Sequence, residues 1–225
     1  MTKIVCISDT HTYHNRMTNP IPEGDILIHA GDSTGRGSLE SIQDFCKWYG
    51  SLPHRHKILI SGNHDFGFEK SAFLAEGIPE RFNITYLRDS FVIVEGLKIY
   101  GSPWTPRFFD WAFNLDREGD AIKAVWDLIP PDIDVLVTHG PPEGILDYVP
   151  PNKSLDAFGY KQGHVGCEEL SKKIEELTNL KLHVFGHIHS QYGIAYKSNT
   201  TYVNAAICTE GYEPINAPIV VELNK

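Results

Sequence analysis

Short apolar runs rich in Val and Ile recur along the chain at Ile4 to Ile7, Ile26 to Ala30, Ile58 to Ile60, Val135 to Val137 and Leu182 to Phe185. Near-continuous apolarity over so few residues marks a strand covered on both faces, and so predicts helices on both sides of a sheet. Between the runs the spacing turns helical. Leu39, Ile42, Phe45 and Cys46 follow a Ser38 cap, and Ile122, Val125, Trp126 and Ile129 form a second stripe. Leu170, Ile174 and Leu177 form a third, within a Glu/Lys-rich segment whose charges read as a solvated face. From Ile84 to Tyr100, and from Tyr192 to Leu223, strand-like stretches succeed one another across Gly, Asn and Asp turns, which predicts hairpins at the sheet margins. The pattern as a whole predicts an α/β fold with mixed strand directions.

Length and composition narrow the class. The 225 residues suit one domain spanning 1–225, since the Pro-rich loops are too short to act as linkers. Hydrophobic residues at 41% and charged residues at 22% exclude a disordered or low-complexity chain. A net charge of -9 has the wrong sign for gripping long nucleic acid through its phosphates. No apolar stretch is long enough to span a bilayer, so no membrane association is expected. The start lacks a signal-peptide pattern, and Cys6, Cys46, Cys167 and Cys208 form no C-x-x-C pair; the expectation is a cytoplasmic protein with buried thiols.

The chemistry begins where each apolar run ends. The first leads into Asp9-Thr10-His11 and the second into Gly31-Asp32. The third leads into Gly62-Asn63-His64-Asp65, the fourth into His139-Gly140, and the fifth into Gly186-His187-Ile188-His189. In an open α/β sheet, ligands bind in the crevice beyond the carboxyl ends of the strands. Two carboxylates, four imidazoles and an amide oxygen, without thiolate, suit Zn, Mn, Fe or Ni, and exceed what one ion needs. Two divalent ions sharing a carboxylate fit the set, and such a pair, about 3.5–4 Å apart, binds a phosphoryl group and activates water. His14, His29, His54, His56, His164 and His183 lack such a setting and read as structural or surface residues.

In these blocks the sequence resembles the calcineurin-like metallophosphoesterases, whose D-x-H, G-D, G-N-H-[DE], downstream H and G-H-x-H pattern is matched in order. Gly163 to Cys167, Leu182 to Phe185 and Val203 to Ala206 further resemble its MPPED (239FB-like) branch. The resemblance implies a four-layered α/β/β/α sandwich with mixed sheets and a binuclear metal site, manganese favoured. Carried over, Asp9, His11 and His189 hold one metal, Asn63, His139 and His187 the other, and Asp32 bridges them. His64 faces the substrate as proton donor or phosphate ligand, and Asp65 orients it. Phosphoprotein phosphatases of this fold carry a second Asp where this chain has Gly35, which leaves the role of Arg36 open. Arg36, together with Arg107 and Phe108 from an aromatic loop that also holds Trp104, Phe109 and Trp111, is a candidate for substrate binding, although the aromatics also suit plain packing. The resemblance implies hydrolysis of small phosphodiesters or nucleotides, cyclic nucleotides included. Alternatives are a phosphomonoesterase or phosphoprotein phosphatase, a non-enzymatic metal-binding scaffold, and a serine hydrolase using Ser33 in Gly31-Asp32-Ser33-Thr34-Gly35.

Overall fold

In the computed structural model, which describes residues 1–151 and 161–224, every apolar run is a strand. The first half comprises β1 (Thr2–Ile7), β2 (Ile26–Ala30), α1 (Leu39–Ser51), β3 (His56–Ile60), the short helices α2 (Phe66–Lys70) and α3 (Ala72–Ala75), and β4 (Thr85–Tyr86). Then come β5 (Ser90–Val94), β6 (Leu97–Ser102), β7 (Thr105–Pro106), β8 (Asn114–Leu115), α4 (Asp120–Asp127), β9 (Val135–Thr138), β10 (Tyr148–Val149) and β11 (Gly163–His164). The chain closes with α5 (Glu168–Glu175), β12 (Leu182–Phe185), β13 (Gly193–Lys197), β14 (Thr200–Asn204) and β15 (Ile219–Leu223). Helix α1 starts at the Ser38 cap, whose side chain accepts from the Ser41 N–H at 3.2 Å.

The strands divide between two main sheets, in orders β15-β1-β2-β3-β4 and β13-β14-β12-β9-β6-β5. In the first, β1 to β4 are parallel and β15 runs antiparallel beside β1. In the second, β14, β12, β9 and β6 are parallel and the edges β13 and β5 are antiparallel. The hairpins read from the sequence are therefore present, each supplying an edge.

Side-chain alternation assigns the layers. Ile4, Cys6, Ile28 and Ile58 of the first sheet pack directly on Ile99, Val135, Val184 and Val203 of the second. Their neighbours Val5, Leu27 and Leu59 face outward onto Ile42, Phe45, Tyr49 and Phe68 of α1 and α2. On the far side, Tyr100 and Leu136 meet Ile122 and Trp126 of α4 and Leu170 of α5. The result is an α/β/β/α sandwich. Beyond the carboxyl ends of the parallel strands the two sheets touch, where Ser8 forms a parallel bridge to Ala206.

Candidate metal centre

The turns at this shared rim hold their polar residues in a conformation most residues avoid. Asp9, His11, Asp32 and His187 have φ of 51°, 43°, 55° and 69°. Left-handed backbone at a non-glycine residue costs on the order of 1–3 kcal/mol and gathers at functional sites. Glycine permits the close approach behind them. At Gly31, with φ 99°, a Cβ would sit 2.6 Å from His139 Nδ1, and at Gly186 it would run into Asp9 Oδ2.

These turns bring the donor atoms together. Asp9 Oδ1 lies 3.2 Å from His189 Nε2 and 3.9 Å from His11 Nε2, and the two imidazole nitrogens are 3.3 Å apart. On the other side His139 Nε2 lies 2.9 Å from Asn63 Oδ1. Asp32 Oδ2 stands between the groups, 3.7 Å from His11 Nε2 and 3.3 Å from His139 Nε2. Donor atoms of Asp9, His11 and His189, and of Asp9, Asp32 and His139, each converge within 4.8 Å. His187 stands slightly apart. Its backbone N–H donates to the Asp9 carboxylate at 3.0 Å, and its ring lies 5.0 Å from that of His139.

This donor set asks for positive charge. His139 Nδ1–H donates to the Ala30 carbonyl at 2.9 Å, so its Nε2 turns a lone pair toward two oxygen acceptors, Asn63 Oδ1 and Asp32 Oδ2. His189 Nδ1–H likewise donates to the Thr209 carbonyl at 2.9 Å, leaving Nε2 against Asp9. Only a cation, a proton or a metal ion, satisfies such contacts. Burial pushes His139 down, but the Asp32 charge outweighs it and lifts the ring to about 9. Burial pushes Asp9 up, yet the hydrogen bond and charge of His189 hold its carboxyl well below the usual range. At His11 and His187 burial prevails, leaving them at about 4 and about 3 despite Asp32 nearby. The residues present fit a divalent metal, which would displace the protons.

His64 sits beside this group. Its Nδ1–H donates to the Gly35 carbonyl at 3.0 Å, its Nε2 is 4.0 Å from Asp32 Oδ2, and its backbone N–H donates to Asp32 Oδ1 at 2.8 Å. Asp65, expected to orient the imidazole, makes no direct bond to the ring. The buried Asp65 carboxylate instead accepts from the backbone N–H groups of Gly62, Ser33 and Thr34 and from the hydroxyls of Ser33 and Thr34. Asp65 thus shapes the turn that presents the Gly35 carbonyl, and reaches His64 only through it. Ser33 is buried with its hydroxyl on Asp65, so it is not presented as the exposed nucleophile that a serine hydrolase needs.

Above the cluster opens a cavity of about 960 Å³, with Asp32, Asn63, His64, His187 and His189 at its base. Arg36, Arg107 and Phe108 all line it. Arg107 is engaged, its Nε donating to Asp116 Oδ1 at 2.6 Å, and Phe108 lies edge-on to Phe109 with centroids 4.5 Å apart. Arg36 rests over the Trp111 ring at 5.0 Å. The sequence pattern did not single out Tyr212, whose ring lies 4.8 Å from that of His11 and 5.5 Å from that of His189. It follows the G-H-x-H block by more than twenty residues, in a turn without a chemical motif. Trp111 was visible only as one of several loop aromatics, yet it stacks on His64 itself.

The model of the calcineurin-like phosphoesterase family matches residues 2–191. Metallophosphoesterase domain-containing protein 1 from Homo sapiens is 44% identical over 246 residues, covering 99% of this chain and 71% of the relative. Among solved structures, one crystal structure superposes with a TM-score of 0.62 at 18% identity, over 90% of each chain. TT1561 of Thermus thermophilus does so with a TM-score of 0.55 at 13% identity, over 90% of this chain and 88% of the other. At such identities the structural likeness speaks for the fold alone.

Proposed function

The chain belongs to the calcineurin-like phosphoesterase family, alongside Metallophosphoesterase domain-containing protein 1, and is a metal-dependent phosphoesterase; from this we propose that it hydrolyses small phosphodiesters, cyclic nucleotides among them. The observation that carries the reading is the position of Asp32 Oδ2, within 3.7 Å of His11 Nε2 and 3.3 Å of His139 Nε2, as a carboxylate shared by two ions requires. Asp9, His11 and His189 would hold one ion and Asn63, His139 and His187 the other; the mixed N/O set suits Zn, Mn, Fe or Ni, and the family resemblance favours manganese. Bound there, two divalent ions would neutralise the phosphoryl oxygens and acidify the attacking water.

The protein's own groups supply the rest. Gly35 holds the Nδ1–H of His64, so Nε2 is the atom that delivers a proton to the departing oxygen. Arg36 at the rim offers a cation, and the cavity walls of Phe108 and Tyr212 offer apolar faces to the organic part of the ester. No helix among the described residues is long and apolar enough to cross a membrane. The four free, buried cysteines support a cytoplasmic setting.

A panel of bis-aryl phosphate, 2′,3′- and 3′,5′-cyclic nucleotides and aryl monophosphate tests the reading. We expect activity on diesters to vanish on chelation and return with Mn²⁺. Full turnover in rigorously metal-free protein, or a clear preference for the monoester, would overturn it.

A further inference from the structure

We infer that Trp111 is a positioning residue for His64, fixing the plane of the imidazole from across the site. This rests on the reading of His64 as proton donor. The indole lies against the imidazole with centroids 4.1 Å apart and planes inclined by 25°, a stacked pair at the edge of the cavity. The two residues come from separate parts of the chain. His64 follows β3, whereas Trp111 belongs to the excursion after β6. Their spacing is set by backbone: the N–H of buried Ala112, next to Trp111, donates to the carbonyl of Asn63, next to His64, at 3.0 Å. The following N–H, of Phe113, donates to Glu69 Oε1 at 2.7 Å, so the loop is tied to α2 as well.

One hydrogen bond leaves a ring free to rock about its axis. The Gly35 carbonyl fixes His64 Nδ1, the His11 ring meets the imidazole edge-on at 4.6 Å, and the indole covers its face, keeping Nε2 directed to the Asp32 side. The guanidinium of Arg36, one residue beyond that carbonyl, lies over the same indole at 5.0 Å and links the two restraints. No bond to Asp65 is needed, in keeping with the engagement of that carboxylate elsewhere.

The test uses the metal-loaded full chain with Trp111→Ala, Trp111→Phe, His64→Ala and the Trp111→Ala/His64→Ala pair, on diesters with alkyl and aryl leaving groups. A stacked aromatic pair is worth up to roughly tenfold, so Trp111→Ala should lower kcat on the alkyl ester by about that factor and on the aryl ester by far less, with KM unchanged. Trp111→Phe should restore most of the loss, and Trp111→Ala should cost nothing further once His64 is absent. Independently of turnover, the ring protons of His64 should lose the upfield ring-current shift in NMR spectra of Trp111→Ala recorded on the zinc-loaded, diamagnetic protein. A rise in KM alone would make Trp111 a substrate-stacking face and overturn the inference. So would equal losses on both esters, additivity in the double variant, or unmoved His64 resonances. If His64→Ala itself lost the same factor on both esters, the proton-donor reading would fail first and take this one with it.

Discussion

Asp32 gives both sheets' ligands a common neighbour, and its replacement should therefore hurt more than that of any terminal ligand. Asp32→Asn is expected to lose metal and rate together, measured by metal analysis and turnover on one sample; full metal content with normal rate would exclude a shared carboxylate. Ser33→Ala, one residue on, should keep its rate while losing about 1–2 kcal/mol of stability, because the hydroxyl it removes bonds the buried Asp65. Asp65→Asn should be worse folded than either. Its carboxylate accepts from five donors, and an amide would turn its own N–H₂ toward some of them, at about 1–3 kcal/mol for each donor left unsatisfied. At this scale the polar residues that gather at the rim were legible from their order and spacing. The work of Asp65 was not, because adjacency to His64 suggests a partnership that the local turn denies by pointing the carboxylate toward residues 33 and 34.

At the scale of elements, the apolar runs and the three helical stripes were legible because burial on both faces leaves an unbroken signature. The division into two sheets was not, since inner and outer faces are equally apolar: Ile4 meets the opposite sheet and Val5 meets a helix, with no difference of residue class to separate them. Short pieces such as β7, β8, β10 and β11 are held by tertiary contacts and carry no period of their own. The outward face of β12 also carries a polar exception, His183, fully buried with its Nε2 2.8 Å from Thr138 Oγ1. The Thr138 hydroxyl donates to the Gly140 carbonyl at 2.7 Å, so His183 Nε2–H is the donor, and His183 steadies the turn that bears His139. Burial pushes this histidine down to about 3. A base depressed in the fold but ordinary when unfolded contributes full stability above about pH 6.5, and loses it as pH falls from there toward 3, because the unfolded chain takes up the proton first. His183→Gln should flatten the acid limb of stability against pH by up to about 1.4 kcal/mol per pH unit, measured by denaturant unfolding from pH 7 to 5 at fixed metal. Parallel limbs in variant and parent would show that His183 does not titrate with unfolding.

For the molecule as a whole, a net charge of -9 gave no hint of the proposed anion-binding site, since whole-chain charge describes solubility and association and says nothing of a local cluster. What the topology adds is that the proposed ligands straddle the sandwich. Asp9, His11, Asp32 and Asn63 extend from the first sheet, and His139, His187 and His189 from the second. Metal bound to this set would act as a further staple between layers joined by an apolar interface and by the few polar contacts of the rim. It would also offset the strain of four left-handed residues and the mutual repulsion of two buried carboxylates. A ligand present at a hundred times its Kd stabilises the native state by about 2.7 kcal/mol. For a chain of this length that corresponds to a Tm shift of roughly 5–10 °C. Chelation should therefore lower Tm by that order, and Mn²⁺ should restore it in proportion to the logarithm of its concentration. The same titration on Asp32→Asn should give a much smaller shift. Hydrogen exchange should then quicken in β1 and β12 together, because the link removed belongs to both sheets. Complete removal of metal with no change in Tm would mean that the ligand turns are held by the sandwich alone, and that the ions stabilise nothing but the reaction.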